Sequence, residues 1–201
     1  GSLGTKTTIR FSDQDSVKLN DQVILSHSPF YQRLFKFLDP FKFKKSHHFC
    51  FEIITENSIP TAAGLASSAS GYAALVKALN QLFKFNWDDK TLSIAARLGS
   101  GSACRSIFNT GFVHWHAGIR SDGMDSFAEK ISDPWPELSL GIILIDSTEK
   151  KISSREAMKI TRETSKKFKT WPSQVKQDLD HLLEAMDHQD FLKLGQISEH
   201  N

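Results

Sequence analysis

Small residues and hydroxyls crowd the stretch IPTAAGLASSASGYAALVKAL, residues 59–79, directly ahead of apolar residues at helical spacing. The first turn of a helix carries backbone N–H groups without intrahelical partners, and the helix dipole puts partial positive charge there. Ala62, Ala63, Gly64, Ala66, Ser67 and Ser68 would let a phosphate approach that backbone, and the hydroxyls could add hydrogen bonds or a water-bridged magnesium contact. The pattern is not the G-x-x-x-x-G-K-[ST] loop, because no lysine follows the turn. A tight strand-to-helix turn, with small residues serving only close packing, would have the same composition. On composition the two readings are balanced.

A second cluster, GSGSACR at 99–105, sets Ser100 and Ser102 as neutral donors beside Arg105 on a small-residue turn. An arginine fork grips a carboxylate or phosphate with two bonds, so the set suits an acidic ligand. The alternative is that Arg105 pairs with a structural aspartate while the serines cap a helix. Ser153, Ser154 and Arg155 fall at the start of a later helical stretch, where an N-cap serine is expected on structural grounds alone. His114 and His116 alternate around Trp115; with no third ligand in spacing they read as ordinary strand residues, and His47 and His48 are read the same way. Cys104 reads as packing rather than as a nucleophile. Asp122, Asp125 and Asp146 are available carboxylates, but the first two lie in a turn, where acidic residues are common.

These groups need elements to hold them. Alternation in TKTTIRF and SVKLN, separated by SDQD, predicts a hairpin. Phe30, Leu34, Phe37 and Leu38 fall on one helical face, after which Pro40 and the basic run KFKK predict an exposed turn. HHFCFEIITE reads as a strand that feeds the small-residue turn. Helices are expected from about Ala66 to Phe85 and, with Asp88 as N-cap and Gly99 as stop, up to Leu98. GFVHWHAG and SFAEKI read as strands, and LSLGIILIDS as a strand buried on both faces. From Ser153 onward three helices are expected, the second with Pro172 in its first turn. Two prolines in SDPWPE suggest a domain boundary, giving domains of residues 1–133 and 134–201.

The bounds are those of an ordinary globular protein. Twenty-five basic side chains against 23 acidic ones argue against a nucleic-acid or membrane-surface partner. Two cysteines and no long apolar span point to a reducing, cytoplasmic compartment.

The arrangement of the first motif decides between its readings. Pro60, Gly64, Leu65, Ser67, Ser68 and Ala69 spell P-x-x-x-G-L-x-S-S-A, which resembles the phosphate-loop signature of the GHMP kinase superfamily. PTAAGLASSASG together with ARLGSGSACRS resembles one branch, the mevalonate diphosphate decarboxylases, and the resemblance extends through TKTTIRF, GFVHWHAG, DGMDSFAEKI, WPEL and KKISSREAMKITRETS. It implies an α+β, GHMP kinase-like two-domain fold, with a ribosomal protein S5 domain 2-like N-terminal part and part of a ferredoxin-like C-terminal domain. It implies ATP and Mg²⁺ as cofactors and mevalonate 5-diphosphate as substrate, decarboxylated to isopentenyl diphosphate for isoprenoid biosynthesis, with a homodimer as a candidate assembly. By the same resemblance Pro60, Ala63, Gly64, Leu65, Ala66, Ser67 and Ser68 would hold the ATP phosphates, with Ser68 on Mg²⁺. Ser100, Ser102, Arg105, Ser154 and Arg155 would hold the substrate, Arg105 at its carboxylate and Ser154 and Arg155 at its diphosphate. The family's N-I-A-L-I-K-Y-W-G-K strand and its D-A-G-P-N segment, whose aspartate is the presumed base, do not occur in these 201 residues, so the base is expected outside them. A relative acting on mevalonate or its monophosphate, and a non-catalytic fragment that only binds ligand or partner, are the alternatives.

Overall fold

The structure, a computed structural model, describes residues 4–44, 47–58, 67–141, 143 and 152–200. The chain divides into two compact units, Gly1–Glu149 and Lys150–Asn201. That division falls after the stretch 134–149, which the sequence reading assigns to the second domain.

The first unit opens with β1 (Thr5–Ser12), β2 (Ser16–Leu19) and β3 (Gln22–Val23), then α1 (Pro29–Lys42), the short pair β4 (Phe43–Lys44) and β5 (His47–His48), and β6 (Cys50–Asn57). β1 and β2 are not a hairpin. The sheet order is β1-β6-β2-β3, with β6 antiparallel to β1 and parallel to β2. The reason lies in burial: β6 carries Phe51 and Ile53, both essentially inaccessible, whereas β1 buries only Ile9 and β2 only Val17. The most apolar strand takes the centre, where both its edges are paired. The true hairpin is β2–β3, whose two-residue loop Asn20-Asp21 has positive φ at both positions, as a type I′ turn requires.

The expected exposed turn after α1 is also corrected. The helix runs through Pro40 to Lys42, and Lys42 is buried, with its ammonium paired to Asp15 and set 4.8 Å from the Phe35 ring centroid. Asp15 also accepts from the Phe51 amide at 3.0 Å. One carboxylate therefore ties the end of α1 to the central strand, and a basic residue that reads as solvated becomes a structural ion pair. On α1 itself Leu34, Phe35 and Leu38 are buried, while Phe30 stays exposed.

Next come α2 (Ser67–Phe83) and α3 (Asp89–Gly99), close to the expected limits. Asp88 caps α3 by accepting from the Thr91 amide at 2.9 Å. Helix α2 is shared between two cores. Leu75 and Leu79 pack with Ile9, Val17, Phe51, Ile53 and α1, and Ala73 and Val76 pack with Leu92, Ala96, Ala103 and Ile107. The last two belong to a 3-10 helix, Gly101–Ile107, which replaces the expected turn. β7 (Phe112–Trp115) and β8 (Ala128–Ser132) are the two strands expected there; they pair antiparallel, and the buried Ser93 hydroxyl accepts from the Ala128 amide at 2.7 Å, fastening β8 to α3.

Of the strand expected at 138–147, residues 142 and 144–147 lie outside the described residues. Leu140 and Ile143 are 92% and 86% exposed, not buried. Neither residue falls in a strand. The second unit contains α4 (Ser154–Thr164), α5 (Trp171–Asp187) with Pro172 in its first turn, and α6 (Phe191–His200), as expected.

Candidate functional site

Pro60, Ala63, Gly64, Leu65 and Ala66, the body of the expected phosphate loop, lie outside the described residues. Its helical end does not. Ser67 and Ser68 open α2, and β6 is the strand before it in the chain. The first turn is pinned from below: Ser70 donates to the Ser67 carbonyl at 3.1 Å and shares a 2.7 Å hydrogen bond with Thr5 at the start of β1. Beside it, Gly4, Thr5, Lys6, Glu56 and Ser58 line an open cleft of about 310 Å³.

The fold brings the two sequence motifs together. The hydroxyls of exposed Ser68 and half-buried Ser100 stand 3.4 Å apart. That is longer than the usual O–H···O distance of about 2.7–2.8 Å, so neither hydroxyl is committed to the other and both can turn to a ligand. The approach depends on Gly99: a Cβ built there would lie 2.0 Å from the Tyr72 ring of α2, so only glycine lets α3 end this close to α2. Ser102 is half-buried within the 3-10 helix. Arg105 is exposed near the end of that helix, with its guanidinium carbon 5.8 Å from the Trp115 ring centroid. Among the described residues no carboxylate pairs with it. The reading in which Arg105 serves a structural aspartate finds no such aspartate there.

Cys104 is fully buried, its Sγ donates to the Gly101 carbonyl at 3.1 Å, and burial pushes its thiol pKa up, against reactivity. The His114 and His116 rings lie 4.2 Å apart, and His116 meets Glu129 at 2.7 Å. Among the described residues no group of three His, Cys, Asp or Glu could hold a metal. Asp122 is paired with Arg120, and Asp125 accepts from the Ile119 amide at 2.7 Å and from the Arg120 amide. These bonds hold both carboxyls below the usual range, so neither is poised to take a proton. Asp146 lies outside the described residues.

In the second unit Ser153 is the N-cap of α4, accepting from the Glu156 amide at 3.2 Å, and Ser154 and Arg155 follow in the first turn. Sequence reasoning missed the connections that hold the site: Thr5 to Ser70, Tyr72 against Gly99, and Trp115 beside Arg105. Only Trp115 left a signal, an aromatic residue out of phase with the flanking histidines.

Magnesium–nucleotide binding needs oxygen donors and amides rather than a protein cage, because Mg²⁺ takes most of its ligands from phosphate and water. The Ser67–Ser68 end of α2 has that character.

The family model of the diphosphomevalonate decarboxylase-like N-terminal domain matches residues 1–128. The diphosphomevalonate decarboxylase mvd1 of Aspergillus fumigatus is 42% identical over 149 residues, which are 73% of this chain and 37% of that protein. The mevalonate diphosphate decarboxylase of Enterococcus faecalis, solved in a study of its mevalonate diphosphate mediated ATP binding, superposes with a TM-score of 0.79 at 37% identity, covering 96% of this chain and 58% of that one. A structure of MDDEF in complex with MVAPP, AMPPCP and magnesium gives 0.80 at 38% identity, covering 96% and 59%. The chain thus spans well under two thirds of the length of these relatives. Their α+β, GHMP kinase-type architecture is shared by this chain. The chain belongs to the diphosphomevalonate decarboxylase-like family.

Proposed function

We propose that these residues form part of an ATP- and Mg²⁺-dependent decarboxylase that converts mevalonate 5-diphosphate to isopentenyl diphosphate, carbon dioxide, ADP and phosphate. The observation that carries the reading is the 3.4 Å approach of Ser68 to Ser100, which sets the helix end suited to phosphate beside the segment bearing Arg105. A tertiary hydroxyl does not depart as hydroxide; ATP with Mg²⁺ supplies the phosphoryl group that makes it a leaving group. The chain's own residues position the reactants. The 60–68 segment would hold the ATP phosphates, with Ser68 on Mg²⁺, Ser100 and Ser102 would donate to the substrate, and Arg105 would hold its carboxylate. Holding a carboxylate also opposes its loss as neutral carbon dioxide, so Arg105 acts chiefly by orientation. Ser154 and Arg155 take the diphosphate. Residues 134–201 begin the second domain of that enzyme, and its compartment is the cytoplasm, in keeping with Cys50 and Cys104 both being free thiols.

Titration with mevalonate 5-diphosphate tests this. Arg105→Lys keeps the charge and loses the two-pronged geometry, a loss of about 1.5–3 kcal/mol, or roughly 10- to 150-fold in Kd. Unchanged affinity would remove Arg105 from the substrate site.

A further inference from the structure

Trp115 occupies a position in the site that the activity alone does not explain. Its indole Nε1–H donates to the Ser126 hydroxyl at 3.2 Å, and that hydroxyl donates to the His116 carbonyl at 3.0 Å. Ser126 is 5% exposed, so the anchor is shielded from water. The ring held in this way touches the GSGSACR segment twice. A Cβ built on Gly101 would lie 3.2 Å from Trp115 Cη2, and the Arg105 guanidinium carbon stands 5.8 Å from the ring centroid. A guanidinium within about 6 Å of an indole face is attracted by the ring quadrupole while its N–H groups remain free to donate. This is a support that fixes a cation without consuming its hydrogen bonds, unlike the carboxylate that holds Arg120.

We propose that Trp115, locked by Ser126, is a positioning residue that aims the Arg105 guanidinium at the carboxylate of the substrate; the proposal rests on the assignment of Arg105 made above. A carboxylate partner in the protein would compete with the substrate, and an arginine with no support would sample many rotamers, each of which must be lost on binding. The indole avoids both. Gly101 belongs to the same device, since any side chain there would press on the ring that carries Arg105.

The test combines two readouts on the 201-residue chain. The first is the order of the Arg105 Nε–H bond from ¹⁵N relaxation, which needs no ligand. The second is the Kd for mevalonate 5-diphosphate beside that for isopentenyl diphosphate, which keeps the diphosphate and lacks the carboxylate. Trp115→Leu is expected to lower the order of Arg105 and to weaken the carboxylate-bearing ligand roughly two- to fivefold, leaving the other ligand unchanged. Trp115→Phe keeps an aromatic face but loses the bond to Ser126, so it recovers only part of both. Ser126→Ala, a smaller change, shifts both readouts in the same direction and decides the matter if Trp115→Leu does not fold. Unaltered Arg105 order in these variants, or equal weakening of both ligands, overturns the proposal. A wild-type chain that binds the two ligands equally overturns instead the carboxylate role of Arg105, while the relaxation data still decide whether Trp115 orders it.

Discussion

Arg10, Arg97 and Arg120 each donate to an oxygen of the first unit: Glu52, the Gly123 carbonyl and Asp122. Arg105 instead rests beside an indole, which leaves its N–H groups open to the ligand that the proposed function assigns to it. A second residue-scale consequence concerns His114, whose pKa is pushed below the ordinary histidine value, first by burial and then by the nearby His116. A group harder to protonate in the folded state than in the unfolded one contributes stability that is present above its unfolded pKa and is lost as pH falls toward the folded value. Thermal stability should therefore drop as pH falls below about 6.5, and His114→Gln should flatten that part of the profile. Parallel Tm–pH curves for the two proteins from pH 7 to 5 would show that His114 contributes nothing to the acid sensitivity.

At the scale of elements, α2 holds the unit together because both of its faces are buried, one against the sheet and one against α3 and the 3-10 helix. Its contact with Gly99 is the most sensitive point. Gly99→Ala puts a methyl carbon into the Tyr72 ring, an overpacking that costs about 1–3 kcal/mol. Urea denaturation should show that loss, and because the Ser68–Ser100 approach depends on the same contact, ligand affinity should fall with it. An alanine variant as stable as the wild type would mean that Tyr72 moves aside freely.

Much of this was legible in the sequence where the signal is local. The cap Asp88, the run of α2 and the alternation of β7 and β8 each depend on neighbours along the chain, and each element forms as predicted. Partner choice is not local. Thr5–Phe11 and Ser16–Asn20 read as a hairpin because nothing within them reveals that the more buried Phe51 and Ile53 will take the central place. Lys42 reads as solvated because its partner Asp15 is 27 residues away. In the site, residue types and spacing singled out Ser68, Ser100 and Arg105, but the contacts that hold them join β1 to α2, α2 to α3, and β7 to the 3-10 helix.

At the scale of the whole molecule, the proposed function makes this part of the protein one that binds and orients, and the described candidate carboxylates Asp122 and Asp125 are already engaged. The proposed function therefore places the base outside these residues. The measurement that decides this is carbon dioxide release from mevalonate 5-diphosphate with ATP and Mg²⁺, by these 201 residues alone and by the same chain joined to the family's first strand and its D-A-G-P-N segment. The expected result is ligand binding without release for the short chain, and release for the extended one. Turnover by the 201 residues alone would contradict the placement of the base, and an extended protein that phosphorylates the substrate without releasing carbon dioxide would make it a kinase instead.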